Sequence, residues 1–243
     1  MDKNQLQFNG KTNLQCVFPS FVYTKQWDVS KEWNNKLYEI AKKDFLNNII
    51  TDPKHPTNIG DITQHVSHIR HNFVDAFKEE PVVQDLMKMV DKACKEYLRM
   101  VYDYDHKGKV AIMSDTFWQR RSNEQNTGIQ AHTHIKCDLV VTYYPKVNLD
   151  KKISNSIRKG VVRVYDPANI GKRFWDMNNN FKYFYGGWYQ VPIHEGTMLI
   201  IEGHVPHDST YFQGDERMCI PMLVDIDTPK KHTKKPIEDM LND

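Results

Sequence analysis

The stretch Gly128-Ile-Gln-Ala-His132-Thr-His134-Ile-Lys-Cys137-Asp138 leads into Leu139-Val-Val-Thr-Tyr-Tyr144. β-Branched and aromatic residues recur from 129 to 144, the texture of a strand. Residues two apart on a strand face the same way, so His132 and His134 point together into whatever that face covers. Asp138, six residues after His132, shares that face if the strand runs unbroken. Imidazole and carboxylate side chains suit a divalent first-row metal with coordination positions left open. Histidine pairs of this spacing also occur on polar surfaces, so the reading needs a second element.

Working outward, the segments Val110 to Arg120, Gly160 to Tyr165, Phe184 to Val191, Thr197 to Ile201 and Met218 to Asp225 have the same strand texture. Gly, Pro, Asn and Asp separate them. Many short strands without intervening helices predict an antiparallel sandwich, barrel or jelly roll. Before residue 105 the texture is helical. Asp28-Val29-Ser30 precedes Trp33, Leu37, Ile40, Ala41 and Phe45, one apolar helix face. Pro81 suits a first helical turn and is followed by Val83, Leu86, Met87, Val90, Ala93 and Leu98, predicting a helix to about residue 102. A short helix is expected near 69–77. The expected organisation is one domain over 1–228, helical to about 105 and β from about 106, with a mobile tail over 229–243.

Composition narrows the function classes. The 243 residues carry 33 Lys+Arg and 31 Asp+Glu, a formal charge of +2, so no basic surface for nucleic acid is indicated. No apolar run reaches the roughly 20 residues that span a bilayer. The polar start Met1-Asp2-Lys3-Asn4-Gln5 lacks an apolar signal region, which gives the expectation of a cytoplasmic protein. Cys16, Cys94, Cys137 and Cys219 form no C-x-x-C pair, arguing against a zinc ribbon or a thioredoxin motif.

The second chemical element follows the turn Pro192-Ile-His-Glu-Gly196 and the strand Thr197 to Ile201. There Gly203-His204-Val-Pro-His207 offers a late histidine on a neighbouring strand, which an antiparallel cavity needs to close a site begun by His132. A third element is Arg217, opening the strand Arg217-Met-Cys-Ile-Pro-Met-Leu-Val. A buried guanidinium there needs an anion, and its planar fork suits a carboxylate.

In this order, H-x-H, the strand from Gly160 to Asp166-Pro167, Pro192 to Gly196, Pro206-His207 and Gly214-Asp-Glu-Arg217 resemble the iron(II)- and 2-oxoglutarate-dependent oxygenases. The likeness is to the branch common in phages and marine bacteria. Trp118-Gln-Arg and Val17-Phe-Pro-Ser-Phe-Val-Tyr23 extend it over about residues 16 to 226. The resemblance implies a mainly β protein with a double-stranded β-helix (jelly roll, cupin-like) and N-terminal helices packed on one sheet. It implies Fe(II), 2-oxoglutarate as co-substrate and O2. His132 matches the first metal ligand, His207 the distal one, and Arg217 the residue that binds the far carboxylate of 2-oxoglutarate.

Two positions depart from the pattern. The acid expected two residues after His132 is His134, so the third ligand is expected to be His134, with Asp138 as the alternative, or else waters complete a two-histidine site. His204 competes for the distal position, but the P-H pair and the spacing to Arg217 favour His207. Two residues after Arg217, where relatives often carry a hydroxyl, stands Cys219, a poor hydrogen-bonding substitute that a nearby tyrosine can offset.

The expected activity is hydroxylation of a small-molecule or peptidyl substrate coupled to decarboxylation of 2-oxoglutarate. The alternatives are a cupin-like metalloenzyme that does not use 2-oxoglutarate and a non-catalytic jelly-roll binding module. The aromatic segment Gly171 to Gly187 is a candidate lid, and Trp118, Trp175 and Trp188 are candidate pocket walls. His65-x-x-His68-x-x-His71 imitates a metal cluster, but steps of three on a helix make its ends diverge.

Overall fold

The computed structural model describes residues 10–17, 20–51, 58–59, 62–63, 72–108, 110–114, 116–120, 129–134, 136–149, 162–166, 188–209 and 214–226. The N-terminal part forms a hairpin of β1 (Gly10–Val17) and β2 (Ser20–Trp27), then α1 (Lys31–Thr51). After the small β3 (Asn58–Ile59) and β4 (Ile62–Thr63) come α2 (Phe73–Ala76) and α3 (Pro81–Tyr102). The remainder is β5 (Val110–Ser114), β6 (Phe117–Arg120), β7 (Ile129–His132), β8 (Leu139–Leu149), β9 (Val162–Tyr165), β10 (Trp188–Val191), β11 (Thr197–Glu202), β12 (His207–Ser209) and β13 (Gly214–Ile226).

The helices begin where the sequence signals them. Ser30 Oγ accepts the Trp33 N–H at 3.1 Å, an N-cap that satisfies one orphan donor of the first turn of α1. Pro81 sits in the first turn of α3, where its missing N–H costs no bond. That helix ends where Asp103 turns left-handed at φ 51° and its N–H caps the Arg99 carbonyl. The apolar faces that the three-and-four spacing defines are buried: Trp33, Leu37, Ala41 and Phe45 on α1, Leu86, Val90, Ala93 and Leu98 on α3.

Apart from the two-stranded β3–β4 pair, the described strands form two antiparallel sheets. The larger runs β1-β2-β11-β8-β13-β5, with β6 also on β13, and the smaller runs β10-β9-β12-β7. Successive segments pass between sheets: β7 to the small one, β8 to the large, β9 and β10 to the small, β11 to the large, β12 to the small, β13 to the large. This is the double-stranded β-helix. α1 and α3 cover the outer face of the large sheet, as expected of the N-terminal helices.

Where the large sheet is covered on both faces, as at β11, the strand reads as an unbroken apolar run instead of an alternating one. In β11, Met198 and Ile200 face the helices while Leu199 and Ile201 face the small sheet. The inter-sheet core gathers Val140, Tyr144, Val162, Val164, Val191 and Cys219. Each such side chain, fully buried, contributes roughly 1.5–3 kcal/mol. Polar pins fix the layers. Asn34 on α1 donates to the Pro145 carbonyl at 2.7 Å and accepts from the Tyr143 hydroxyl at 2.9 Å. Lys25 on β2 pairs with Glu96 on α3 at 2.6 Å.

Two predicted strands are each two. Val110 to Arg120 divides into β5 and β6, which pair with different stretches of β13. The segment from 129 to 144 breaks between His132 and Leu139, because there the chain leaves the small sheet for the large one. The expectation that Asp138 shares a continuous face with His132 fails for that reason. Among the described residues, no helix is long and apolar enough to cross a membrane. The segment 171–187, residues 64–71 and the tail lie outside the described residues, as does the side chain of Trp118.

Candidate metal centre

His132 closes β7 directly opposite His207 of β12, and His207 in turn faces Val164 of β9. Directly opposed residues share a face, and Val164 belongs to the inter-sheet core, so both imidazoles point inward. Their ring centroids are 4.5 Å apart. His134 lies just beyond the end of β7, with its ring 4.8 Å from His132 and 5.2 Å from His207, nearly stacked on the latter. One ring nitrogen from each of the three lies within 4.8 Å of the others. Among the described residues no carboxylate joins the group.

The electrostatics make these rings donors. His207 Nδ1 sits 3.0 Å from the Val205 carbonyl. A carbonyl only accepts, so Nδ1 carries the proton and Nε2 keeps the free lone pair. Burial first, then the neighbouring His132 and His134, hold the His207 pKa down to about 3. Burial, with His132 adding, holds His134 down to about 4. Both rings are therefore neutral at pH 7, as metal ligation requires.

The chain around His134 is held by its backbone. The His134 N–H donates to the Gly203 carbonyl at 2.8 Å, and the His134 carbonyl accepts from the Cys137 N–H at 3.2 Å. The Asp138 carboxylate is turned to the end of β13, where it accepts the Ile226 N–H at 2.7 Å. His204 is exposed and faces Glu202 at 3.4 Å, outside the group. Burial pushes the Cys137 thiol up to about 11, so it remains protonated at neutral pH.

Arg217 lies opposite Val147 of β8 and Gln119 of β6, and is 2% exposed. Its Nη2 donates to the Ser209 hydroxyl on β12, bridging the two sheets. Burial pulls the guanidinium pKa down, while the neighbouring Tyr144 and Cys219 pull it back. Ser209 stands two residues after His207, so the guanidinium lies in the same inter-sheet space as the histidines. On the opposite face of β12, Asp208 accepts Arg163 Nε at 2.8 Å, a second Arg163 N–H and the Tyr165 hydroxyl. Arg163 also lies 5.7 Å from the Trp188 ring, which places Trp188 on that face.

The structure thus brings together His132, His134 and His207, with Arg217 in the same inter-sheet space; it places the Asp138 carboxylate at a sheet end. Ser209, Tyr144, Gly203 and the Asp208–Arg163 pair were not singled out from sequence. Ser209 had a signal, since alternation puts it on the His207 face; Gly203 had none, because its role lies in a contact 66 residues away along the chain to Cys137.

No protein-family model and no curated protein matches the chain. Solved structures do. AviO1 from Streptomyces viridochromogenes aligns at TM-score 0.50 and 12% identity, over 86% of this chain and 90% of that one. A prolyl-4-hydroxylase from Pseudomonas putida aligns at TM-score 0.47 and 8% identity, over 91% and 89%. The viral collagen prolyl hydroxylase vCPH from Paramecium Bursaria Chlorella virus-1 aligns at TM-score 0.46 and 9% identity, over 91% and 98%. The likeness to AviO1 is one of fold.

Proposed function

We propose that this chain is a non-haem iron(II) dioxygenase that couples oxidative decarboxylation of 2-oxoglutarate to hydroxylation of a small-molecule or peptidyl C–H substrate. One observation carries the reading: three clustered imidazoles and a buried guanidinium face one inter-sheet space, joined through the His207–Ser209 strand. The donor set fits the metal, since neutral imidazole nitrogens suit first-row divalent ions and His207 offers Nε2 in a fixed tautomer. When bound, Fe(II) with 2-oxoglutarate and O2 supplies the oxidation that releases succinate and CO2 and adds one oxygen atom to the substrate.

The protein's own residues bind and orient. His132, His134 and His207 would hold the metal. Arg217, fixed by Ser209, presents its fork to the far carboxylate of the co-substrate. Ser209 supplies a hydroxyl there, and the Tyr144 phenol lies beside the guanidinium. Both offset the loss of a hydroxyl at Cys219. The apolar walls Val162, Val164 and Leu199 exclude water around these groups. One feature favours a second reading, a cupin-like metalloenzyme without 2-oxoglutarate: the donor set among the described residues is all nitrogen, with no carboxylate.

Anaerobic titration of the Fe(II)-loaded protein with 2-oxoglutarate separates the readings through the visible charge-transfer band of the chelate. The expected band saturates in wild type, is lost in His207→Ala and weakens at least tenfold in apparent affinity in Arg217→Ala. Stoichiometric metal without a band refutes 2-oxoglutarate use and leaves the second reading. No bound metal refutes both and leaves a binding module.

A further inference from the structure

His134 is the one proposed ligand that no strand ladder holds, since β7 ends at His132. We infer that Gly203, in the turn between β11 and β12, is the positioning residue for His134; the inference rests on the metal-centre reading above. A Cβ at position 203 would come 2.2 Å from the Cys137 carbonyl oxygen, 2.5 Å from the His134 carbonyl oxygen and 3.1 Å from Cys137 Sγ. The first two are backbone atoms, which no rotamer change moves aside.

The turn and the ligand loop are locked together through this close approach. The His134 N–H donates to the Gly203 carbonyl at 2.8 Å, and the Gly203 N–H donates to the Asp138 carbonyl at 2.9 Å. The pair of bonds spans the whole loop from ligand to strand. Both sides are also tethered elsewhere in the fold. Asp138 is tied to β13 through its N–H on the Val224 carbonyl at 3.1 Å and its carboxylate on the Ile226 N–H at 2.7 Å. The turn is tied to α3 through Glu202, which accepts from the Tyr97 hydroxyl at 3.2 Å and from the Tyr102 hydroxyl.

The sizes decide the consequence. Real Cβ contacts essentially never fall below 3.0 Å, so an alanine at 203 drives the loop back by about 0.8 Å from its 2.2 Å contact. Metal–ligand distances tolerate only about 0.2 Å. The displacement therefore removes His134 from the ligand set and leaves His132 and His207, whose strands pair independently of the turn's N–H and C=O groups.

The test uses the full metal-free chain and Co(II) as probe, with affinity from absorbance titration and the imidazole count from X-ray absorption. Wild type is expected to show three imidazoles. Gly203→Ala is expected to bind roughly 10- to 100-fold more weakly with two imidazoles, as an orienting partner's loss typically does, and to match His134→Ala. The double variant is expected to be no weaker than His134→Ala alone. Wild-type affinity with three imidazoles in Gly203→Ala, or additive losses in the double variant, overturns the inference. Failure of wild type to bind Co(II) overturns the metal-centre reading instead. Hydrogen exchange on the metal-free wild type gives an independent check: the His134 and Gly203 amides are expected to be protected, and free exchange at either overturns the clamp.

Discussion

Replacing Asp208 by Ala removes the acceptor for two Arg163 N–H groups and for the Tyr165 hydroxyl, all in one step. Asp208 is 7% exposed and Tyr165 1%, while the Arg163 side chain is 27% exposed. Burial alone pulls the Arg163 pKa down, yet its hydrogen bond to Asp208 holds it above its ordinary value, so the guanidinium stays charged when folded. Breaking a buried pair from one side costs about 3–5 kcal/mol. Water reaching the partly exposed guanidinium moves this toward the lower end, and the Tyr165 hydroxyl left without Asp208 adds about 1 kcal/mol. The expected loss is about 3–4 kcal/mol. Urea denaturation of the metal-free protein measures it: at a slope of about 3 kcal/mol per molar, the midpoint falls by about 1 M. Arg163→Ala is expected to lose a comparable amount and the double variant less than the sum. A loss below about 1 kcal/mol, or two single losses that add within about 0.5 kcal/mol, refutes the reasoning.

Acid should weaken the metal-free fold through its histidines. With His207 held down to about 3 and His134 to about 4, both below the ordinary value, the unfolded chain binds more protons than the folded one between those values and about 6.5. Unfolding free energy therefore falls as pH drops through that window, by about 1.4 kcal/mol per pH unit for His207 and less for the better-solvated His134. Urea melts at several pH values check this, and parallel curves for wild type and His207→Gln would sink it. On the helix side, Asn34→Leu deprives the Pro145 carbonyl and the Tyr143 hydroxyl of their partner, at about 2–5 kcal/mol. Adding Tyr143→Phe should recover about 1 kcal/mol, and thermal melts of the single and double variants that show no recovery would count against the network.

How much of this was legible in the sequence depended on whether the signal was local. α1 and α3 were readable because their apolar spacing, the Ser30 cap and Pro81 all act within a turn. The fold class was readable from the succession of short strands, and so was a late histidine, His207, on a strand beside that of His132. The break between β7 and β8 was not, since strand-forming residues continue across it and only pairing to two different sheets interrupts the run. Asp138 was expected on the face of His132 for the same reason: parity counts faces only while a strand lasts. The β1–β2 hairpin was also missed, and its place beside β11 was not legible, because that depends on a pairing more than 170 residues away.

The three residues of β12 give the fold an electrostatic proofreader. His207 and Ser209 turn inward to the donors and the guanidinium, and Asp208 turns outward to Arg163. A slip of one residue against β9 exchanges the faces of all three at once. It would thrust a carboxylate among apolar walls and leave Arg163 facing imidazole or hydroxyl. In so short a strand, apolar burial offers little discrimination between registers; charge does it, rejecting the misaligned pairing.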